Sequence, residues 1–485
     1  MTLLDPTTWR GKIYLDGWTT GGAGDAAVVE PATGNELGRV GRAAAADVAR
    51  ATTRAAEAQR DWAKQPYHAR AAVLRRAGDL WKEHASAVQD WIVREAGSIQ
   101  PKADVETTFA ANACYDAAGL TSLAYGELLP TGAPHLSMTR RVPIGVVGVI
   151  SPFNFPLILS IRAVAPALAL GNAVVLKPDP RTAVCGGVTL AHIFEEAGLP
   201  AGLFSVLPGG ADVGETMVTD PRIGLLSFTG STRAGRIVAG LAAQHLKRVH
   251  LELGGNSAII VLDDVDLEKA VSAGAFGSFN HQGQICMTTG RHIVARSIAG
   301  KYAESLGVHA SHLPVGDPAS GQVALGPIID ERQRDRVHDL VTSSVRAGAR
   351  LVEGGTYEGL FYRPTVLADV PEDAPAYRDE VFGPVAPVIA FDSIDEAVRL
   401  AGDSPYGLVL GIMTGDPMRA LEIADRVPVG IVHINDQTVG DEVVNPFGGV
   451  KETGGSRLGG TQANLETFTS TQWVTMRSTI PDYPF

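Results

Sequence analysis

Apolar and polar positions along the chain change rhythm twice. After a short β-like start, "KIYLDG", the stretch from Ala46 to about Val105 has helical spacing: Val88, Trp91 and Ile92 share one face while Gln89, Asp90 and Arg94 turn elsewhere. Pro66 and Pro101 stand where helices begin or end. From Val142 to about Gly254, uncharged runs of β-formers alternate with helix-length intervals: "IGVVGVI", "NAVVLKP", "LFSVLPG", "LLSFTGS" and "RVHLELGG". Runs without polar alternation indicate a parallel sheet covered on both faces. A second alternation follows Gly255, through "SAIIVLDD", "DLEKAVSAGAFGSF", "RHIVAR", "APVIAF", "EAVRLAG" and "GIVHIN". The tail "TQWVTMRS" alternates at strand period and is expected to pair outside its own domain, a neighbouring subunit being one option.

The expected fold is therefore α/β: a parallel-sheet, Rossmann-like cofactor domain, a second α/β catalytic domain, and a small β oligomerisation element. A length of 485 residues requires more than one core. The predicted boundaries are 1–121 with 144–254, then 255–452, and 122–143 with 465–485 for the oligomerisation element. Val142 to Ile161 carries no charge over 20 residues, but Pro143, Pro152, Pro156 and Asn154 break it as a membrane helix. Strand, turn and helix start is the expectation there.

Composition narrows the function. A formal charge of −12 without a Lys/Arg cluster argues against nucleic acid or an anionic membrane as partner. Cys114, Cys185 and Cys286 are too few for a disulfide framework and lack zinc spacing, so no metal is expected and a reducing cytoplasm suits the chain. The N-terminal "MTLLDPTTWRGKIYLDG" has no basic segment followed by an apolar run, so no signal peptide is expected.

Three stretches carry candidate chemistry. "NHQGQICMTTGR" sets Cys286 on a glycine-relaxed backbone whose N–H groups could lower a thiol pKa; the alternative is a buried structural cysteine. "ISPFNFPLIL" puts Asn154 at the carboxyl end of an apolar strand, as an oxyanion donor or as a helix cap. "LELGGNS" puts Glu252 at a buried strand end, as a general base with a raised pKa or as a paired structural carboxylate. Lys177 in "LKPD" and Ser231 in "SFTGST" suit an anionic dinucleotide, although no GxGxxG occurs in this sheet.

The order and spacing of "FNFP", "ALALGNAVVLKP", "FTGST", "ELGGNS", "GQIC", "EVFGP" and "PFGGVKETG" resemble the aldehyde dehydrogenase superfamily over nearly the whole chain. "KPDPRT", "NHQGQICMTTGRHIV" and "HINDQTVGDE" look most like its branch acting on benzaldehyde, vanillin and related aromatic aldehydes. The resemblance implies NAD(P)-dependent oxidation of an aldehyde to the acid. Cys286 would form a thiohemiacetal and then a thioester, Asn154 would hold the oxyanion, and Glu252 would activate water. It implies cofactor contacts at Phe153, Lys177, Gly209, Ser231, Gly254, Gln333, Arg336, Glu380 and Phe382, and a homodimer or homotetramer. Lys451 and Arg457 are expected to support the fold. Many relatives place a glutamate where this chain has Pro180, followed by Arg181, so NADP is expected to be accepted as well as NAD.

Ile285, Met287, Phe155 and the "NDQTV" loop are candidates for an apolar slot. Arg162 is either an ion-paired core arginine or an entrance group, and with Arg291 it is one of two cations available to a carboxylate-bearing aldehyde. Aliphatic aldehydes or semialdehydes, a cofactor-independent thiol esterase, and a non-catalytic protein of the same fold are the competing readings.

Overall fold

The computed structural model describes residues 4–485. The strands Arg248–Glu252, Ile223–Thr229, Val146–Ile150, Ala173–Lys177 and Phe204–Val206 run parallel in that spatial order, and Lys12–Leu15 and Trp18–Thr20 close one edge antiparallel. Val146–Ile150 and Ala173–Lys177 are buried at every position. That is why they read as unbroken apolar runs: helices cover both faces of the sheet. The helices Ala45–Trp62, Tyr67–Glu83, Ala85–Ala96 and Gln100–Leu120 lie in the chain between the two antiparallel edge strands and the parallel ones. Pro66 and Pro101 sit at helix starts, as expected. The uncharged stretch from Val142 resolves into a strand end, the strand Val146–Ile150, a turn, and the helix Pro156–Ala169. No helix among the described residues is long and apolar enough to cross a membrane.

Residues 253–256 lead from the first sheet to a second one, ordered Arg350–Glu353, Thr365–Ala368, Val385–Phe391, Thr289–Ala295, Ser257–Val261, Val409–Met413 and Ile431–Ile434. All neighbours there run parallel except the Arg350–Glu353 edge. The tail strand Thr469–Met476 pairs antiparallel with Leu136–Pro143 of the same chain, from Thr469 opposite Pro143 to Met476 opposite Leu136. Asn172 ties this tail to the first sheet, donating to the carbonyls of Ala167 and Phe468 at 3.0 Å each. Separate hydrophobic cores serve the first sheet and the two faces of the second. A small fourth cluster, Ile285, Met287, Leu408, Val409 and Phe447, with Phe155, Cys286 and Val439 against it, fills the space between the domains.

Candidate active site

Two glycines bring the site together. A Cβ on Gly255 would lie 2.2 Å from the Cys286 carbonyl oxygen, and one on Gly254 would lie 2.6 Å from Glu380 Oε2. Only glycine lets the end of the first sheet press against both the cysteine loop and the "EVFGP" segment. Gly255 N–H then donates to Glu380 Oε1 at 2.9 Å.

The cysteine loop is wound tightly. His281, Gln282 and Gly283 all take positive φ (47°, 55° and 64°), an unfavourable run for two residues with side chains. Gln282 Nε2 holds it by donating to the carbonyls of Gly97 and Pro327, both at 2.9 Å, and Gln284 Oε1 accepts from Ile329 N–H at 3.1 Å. Cys286 follows, half-buried, and its own N–H has no acceptor among the described residues.

Asn154 lies four residues beyond the strand Val146–Ile150. One N–H of its carboxamide donates to Gln284 O at 2.9 Å, which fixes the group and leaves the second N–H free. Asn154 and Cys286 line the same cavity of about 270 Å³, with Phe155, Ile285, Met287, Val439 and Phe447 among its walls. The three apolar residues singled out in the sequence, and Val439 of the "NDQTV" loop, thus do border the thiol.

Sequence reading missed what holds Asn154. Lys102 and Glu106, one helical turn apart and both buried, are ion-paired. Lys102 Nζ donates to Asn154 O at 2.8 Å, and Glu106 Oε2 accepts from the N–H groups of Leu157 and Ile158 at 3.0 and 3.2 Å. A buried carboxylate thereby satisfies the open first turn of the helix that follows Asn154. The spacing of the two residues was visible, but nothing local tied it to a loop fifty residues away.

Glu252 ends its strand buried, with neither carboxylate oxygen hydrogen-bonded. His250, on the same strand face, approaches at 3.7 Å but is held neutral by burial, its pKa down to about 3. Burial pushes the Glu252 pKa well up, against the opposing pull of Arg162 and Arg457. This is the shift expected of a base at a buried strand end. The thiol departs from expectation. Burial, and then the charges of Glu380, Glu252 and Asp441, push the Cys286 pKa up rather than down. The glycine-relaxed loop does offer an N–H, but three carboxylates and desolvation outweigh it.

The candidates for a dinucleotide lie outside the cavity that Cys286 lines. Lys177 is 8% exposed, and its ammonium has neither hydrogen bond nor ion pair among the described residues. Ser231 caps the helix Thr232–Gln244, its Oγ accepting from Ala234 N–H at 3.3 Å. Gly209 precedes the helix Ala211–Thr219, where a Cβ would strike Val213 at 2.4 Å. Phe153 and Phe382 meet edge to face at 5.9 Å. A buried lysine without a partner, at the carboxyl edge of a parallel sheet and against the helix Ala211–Thr219, fits a phosphate- and ribose-bearing group.

Gln333 donates to the carbonyls of Val381 and Phe382 (3.3 and 2.9 Å) and Arg336 Nη1 to that of Glu380 (2.9 Å), so both brace the segment carrying Glu380, while the exposed Arg336 keeps further donors free among the described residues. Two expected roles change. Arg181 is not a free cation for a 2′-phosphate. It pairs with Asp179 at 2.8 Å and Asp330 at 2.6 Å and stacks on Phe153 at 4.2 Å. Arg291 is buried and donates to the carbonyls of Asn256, Leu400 and Ala401, which removes it from any entrance. Arg162 pairs with Asp441, itself a wall of the cavity. Lys451, bonded to the carbonyls of Gly402 and Ser404, and Arg457, bonded to that of Gly449, support the fold as expected.

With this geometry the comparisons with known proteins agree. The aldehyde dehydrogenase family profile matches residues 18–474, and the chain belongs to that family. A vanillin dehydrogenase of Amycolatopsis sp. is 63% identical over the full length of both chains. A benzaldehyde dehydrogenase [NAD(+)] of Pseudomonas putida is 50% identical over 98% of each. Among solved structures, a salicylaldehyde dehydrogenase from Pseudomonas putida G7 complexed with salicylaldehyde superposes with a TM-score of 0.94 at 34% identity, covering 98% of this chain and 99% of that one.

Proposed function

We propose that the protein oxidises an aromatic aldehyde to its carboxylic acid, using NAD or NADP, through a covalent Cys286 intermediate. The observation that carries this is the cavity of about 270 Å³ lined by a half-buried thiol, a fixed carboxamide and the apolar side chains of Phe155, Ile285, Met287 and Phe447. A flat ring matches such a cavity. The relatives named above support the same substrate class.

In the forward reaction the Cys286 thiol gives up its proton to water or to Glu252, and the sulfur bonds to the aldehyde carbon. The resulting oxyanion takes hydrogen bonds from the free N–H of Asn154 and the unpartnered N–H of Cys286. The bound nicotinamide supplies the acceptor for the hydride that leaves this carbon. Glu252, whose oxygens are uncommitted, draws a proton from water as that water attacks the thioester, and the acid leaves. Lys177, Ser231, Glu380 and Gly254 would hold the dinucleotide, with Phe153 and Phe382 beside it. The substrate needs no carboxylate: Arg291 is buried and Arg162 is paired, which disfavours anionic semialdehydes.

Dual cofactor use now rests on Pro180, which places no carboxylate against a 2′-phosphate, and on Lys177; Arg181 adds nothing. The chain is proposed to form a homodimer or homotetramer, since the ribbon of Leu136–Pro143 and Thr469–Met476 leaves Trp473 68% exposed on a two-stranded sheet. Three free thiols suit a reducing cytoplasm.

Purified enzyme given aromatic and aliphatic aldehydes with each cofactor, followed by NAD(P)H absorbance, tests the reading. Benzaldehyde-type substrates are expected to give the highest kcat/KM. Aliphatic substrates outrunning them would overturn the substrate class, and turnover without NAD(P)H would return the site to thiol esterase chemistry. A preference for NAD beyond roughly a thousandfold would end the dual-cofactor proposal.

A further inference from the structure

We propose that Asp441 is a specificity-determining residue that accepts a hydrogen bond from a hydroxyl on the aromatic ring of the substrate. This rests on the aromatic-aldehyde reading and refines it. The observation behind it is an ion pair with one acceptor to spare. Arg162 Nη2 contacts Asp441 Oδ2, while Oδ1 has no partner among the described residues and the side chain is 19% exposed. The arginine cannot wander. Its guanidinium lies over the rings of Phe109 and Phe447, 4.9 and 4.6 Å from their centroids, and the residue is buried. A carboxylate held from behind in this way is a preoriented acceptor.

Its position suits that role. Asp441 lines the Cys286 cavity and also an outer cavity of about 540 Å³ bordered by Asp104, Asp116 and Glu442, so it stands where the two meet. The other ionisable wall of the inner cavity, Lys102, is committed to Glu106 and to the Asn154 carbonyl. Asn154 is committed to Gln284 and to the oxyanion. Asn280 is the remaining polar wall.

An ionised carboxylate only accepts hydrogen bonds. A bare ring or a methoxy group gives Oδ1 nothing, and an anionic substituent is repelled by it and by the three outer carboxylates. A neutral phenolic O–H is the ring substituent that matches, and a bond to a charged acceptor is stronger than a neutral one.

The test compares kcat/KM for benzaldehyde, 3- and 4-hydroxybenzaldehyde and 4-methoxybenzaldehyde in the wild type, Asp441→Ala, Asp441→Asn and Asn280→Ala. Wild type is expected to favour one hydroxy isomer over the methoxy compound. Asp441→Ala should cut that ratio by roughly ten- to a hundredfold, mainly through KM. The isosteric Asp441→Asn, which can still face Arg162 through its carbonyl, should move the ratio the same way by less. A ratio unchanged or raised in Asp441→Ala, or one abolished by Asn280→Ala alone, overturns the assignment while leaving aromatic oxidation standing. Failure of the wild type to oxidise any of the four would bring down both readings.

Discussion

The two sides of Cys286 are built on opposite principles. Toward the aldehyde, the polar side chains are fixed by one another, Lys102 by Glu106 and the Asn154 carbonyl, Arg162 by Asp441, Asn154 by Gln284, and only single atoms stay open among the described residues, including Asp441 Oδ1, the second Asn154 N–H and two nitrogens of Arg162. Toward the proposed cofactor site, the Lys177 ammonium stands uncommitted. A wall with so few open atoms is a mould for an aromatic ring and selects among its substituents, because a buried polar group without a partner taxes the binding of anything that cannot satisfy it. An uncommitted ammonium waits for a polar ligand. The thiol borders both, and its raised pKa reflects that: burial is the main cause, and Glu380 on the proposed cofactor side, Glu252, and Asp441 on the slot side add to it.

Removing the atom the two sides share should have the largest effect. Cys286→Ala is expected to abolish aldehyde oxidation. Cys114→Ala and Cys185→Ala should keep it, since both thiols are fully buried and neither lines the slot. Wild-type turnover in Cys286→Ala would refute the covalent mechanism. Next comes Glu252→Gln. Losing the base should lower kcat by roughly 10²–10⁴-fold while the first turnover still releases NAD(P)H as a burst. In the wild type, because the folded Glu252 pKa is raised, its base form accumulates only as pH rises, so kcat should climb with pH; a flat profile in the wild type would contradict this assignment.

The aldehyde-side scaffold can be broken without touching the reacting atoms. Lys102→Met leaves the Glu106 carboxylate buried without its cation, a change expected to cost roughly 3–5 kcal/mol of stability. It also frees the Asn154 carbonyl. If the pair serves Asn154, kcat should fall while the KM for the cofactor stays put, and Lys102→Arg should restore part of the rate. A loss confined to thermal stability would reduce the pair to a structural one.

Much of this was legible in the chain because its cause is local. "VVGVI" and "AVVLK" read as buried parallel strands because every residue in them is covered. "ELGG" carries its glycines because a Cβ at either position would collide with a neighbour in the second domain, a fact visible only as an unexplained doublet in the sequence. What stayed hidden depends on long-range partners. Arg181 looked like a free cation beside Pro180, yet Asp330, 149 residues on, neutralises it. That Gln333 and Arg336 also donate to the main chain of the 380–382 segment could not be read from their own stretch of chain. The thiol pKa could not be read from "QGQIC" because its three carboxylate neighbours come from three other segments.

The smallest expected effect bears on the cofactor wall alone. Burial lowers the Lys177 pKa, and Asp179 and Asp212 oppose that shift, so the ammonium is a poorly solvated donor available to a ligand. Lys177→Ala removes one charge-assisted hydrogen bond, worth roughly 1.5–3 kcal/mol, and should raise the KM for NAD or NADP by about ten- to a hundredfold. The KM for the aldehyde should not move, because Lys177 does not line the slot. If both KM values rose together, the wall would not be divided between an aldehyde side and a cofactor side as described. Lys177 would then be holding the sheet edge that carries Asn154, through the pairing of Ile150 with Lys177 in adjacent strands.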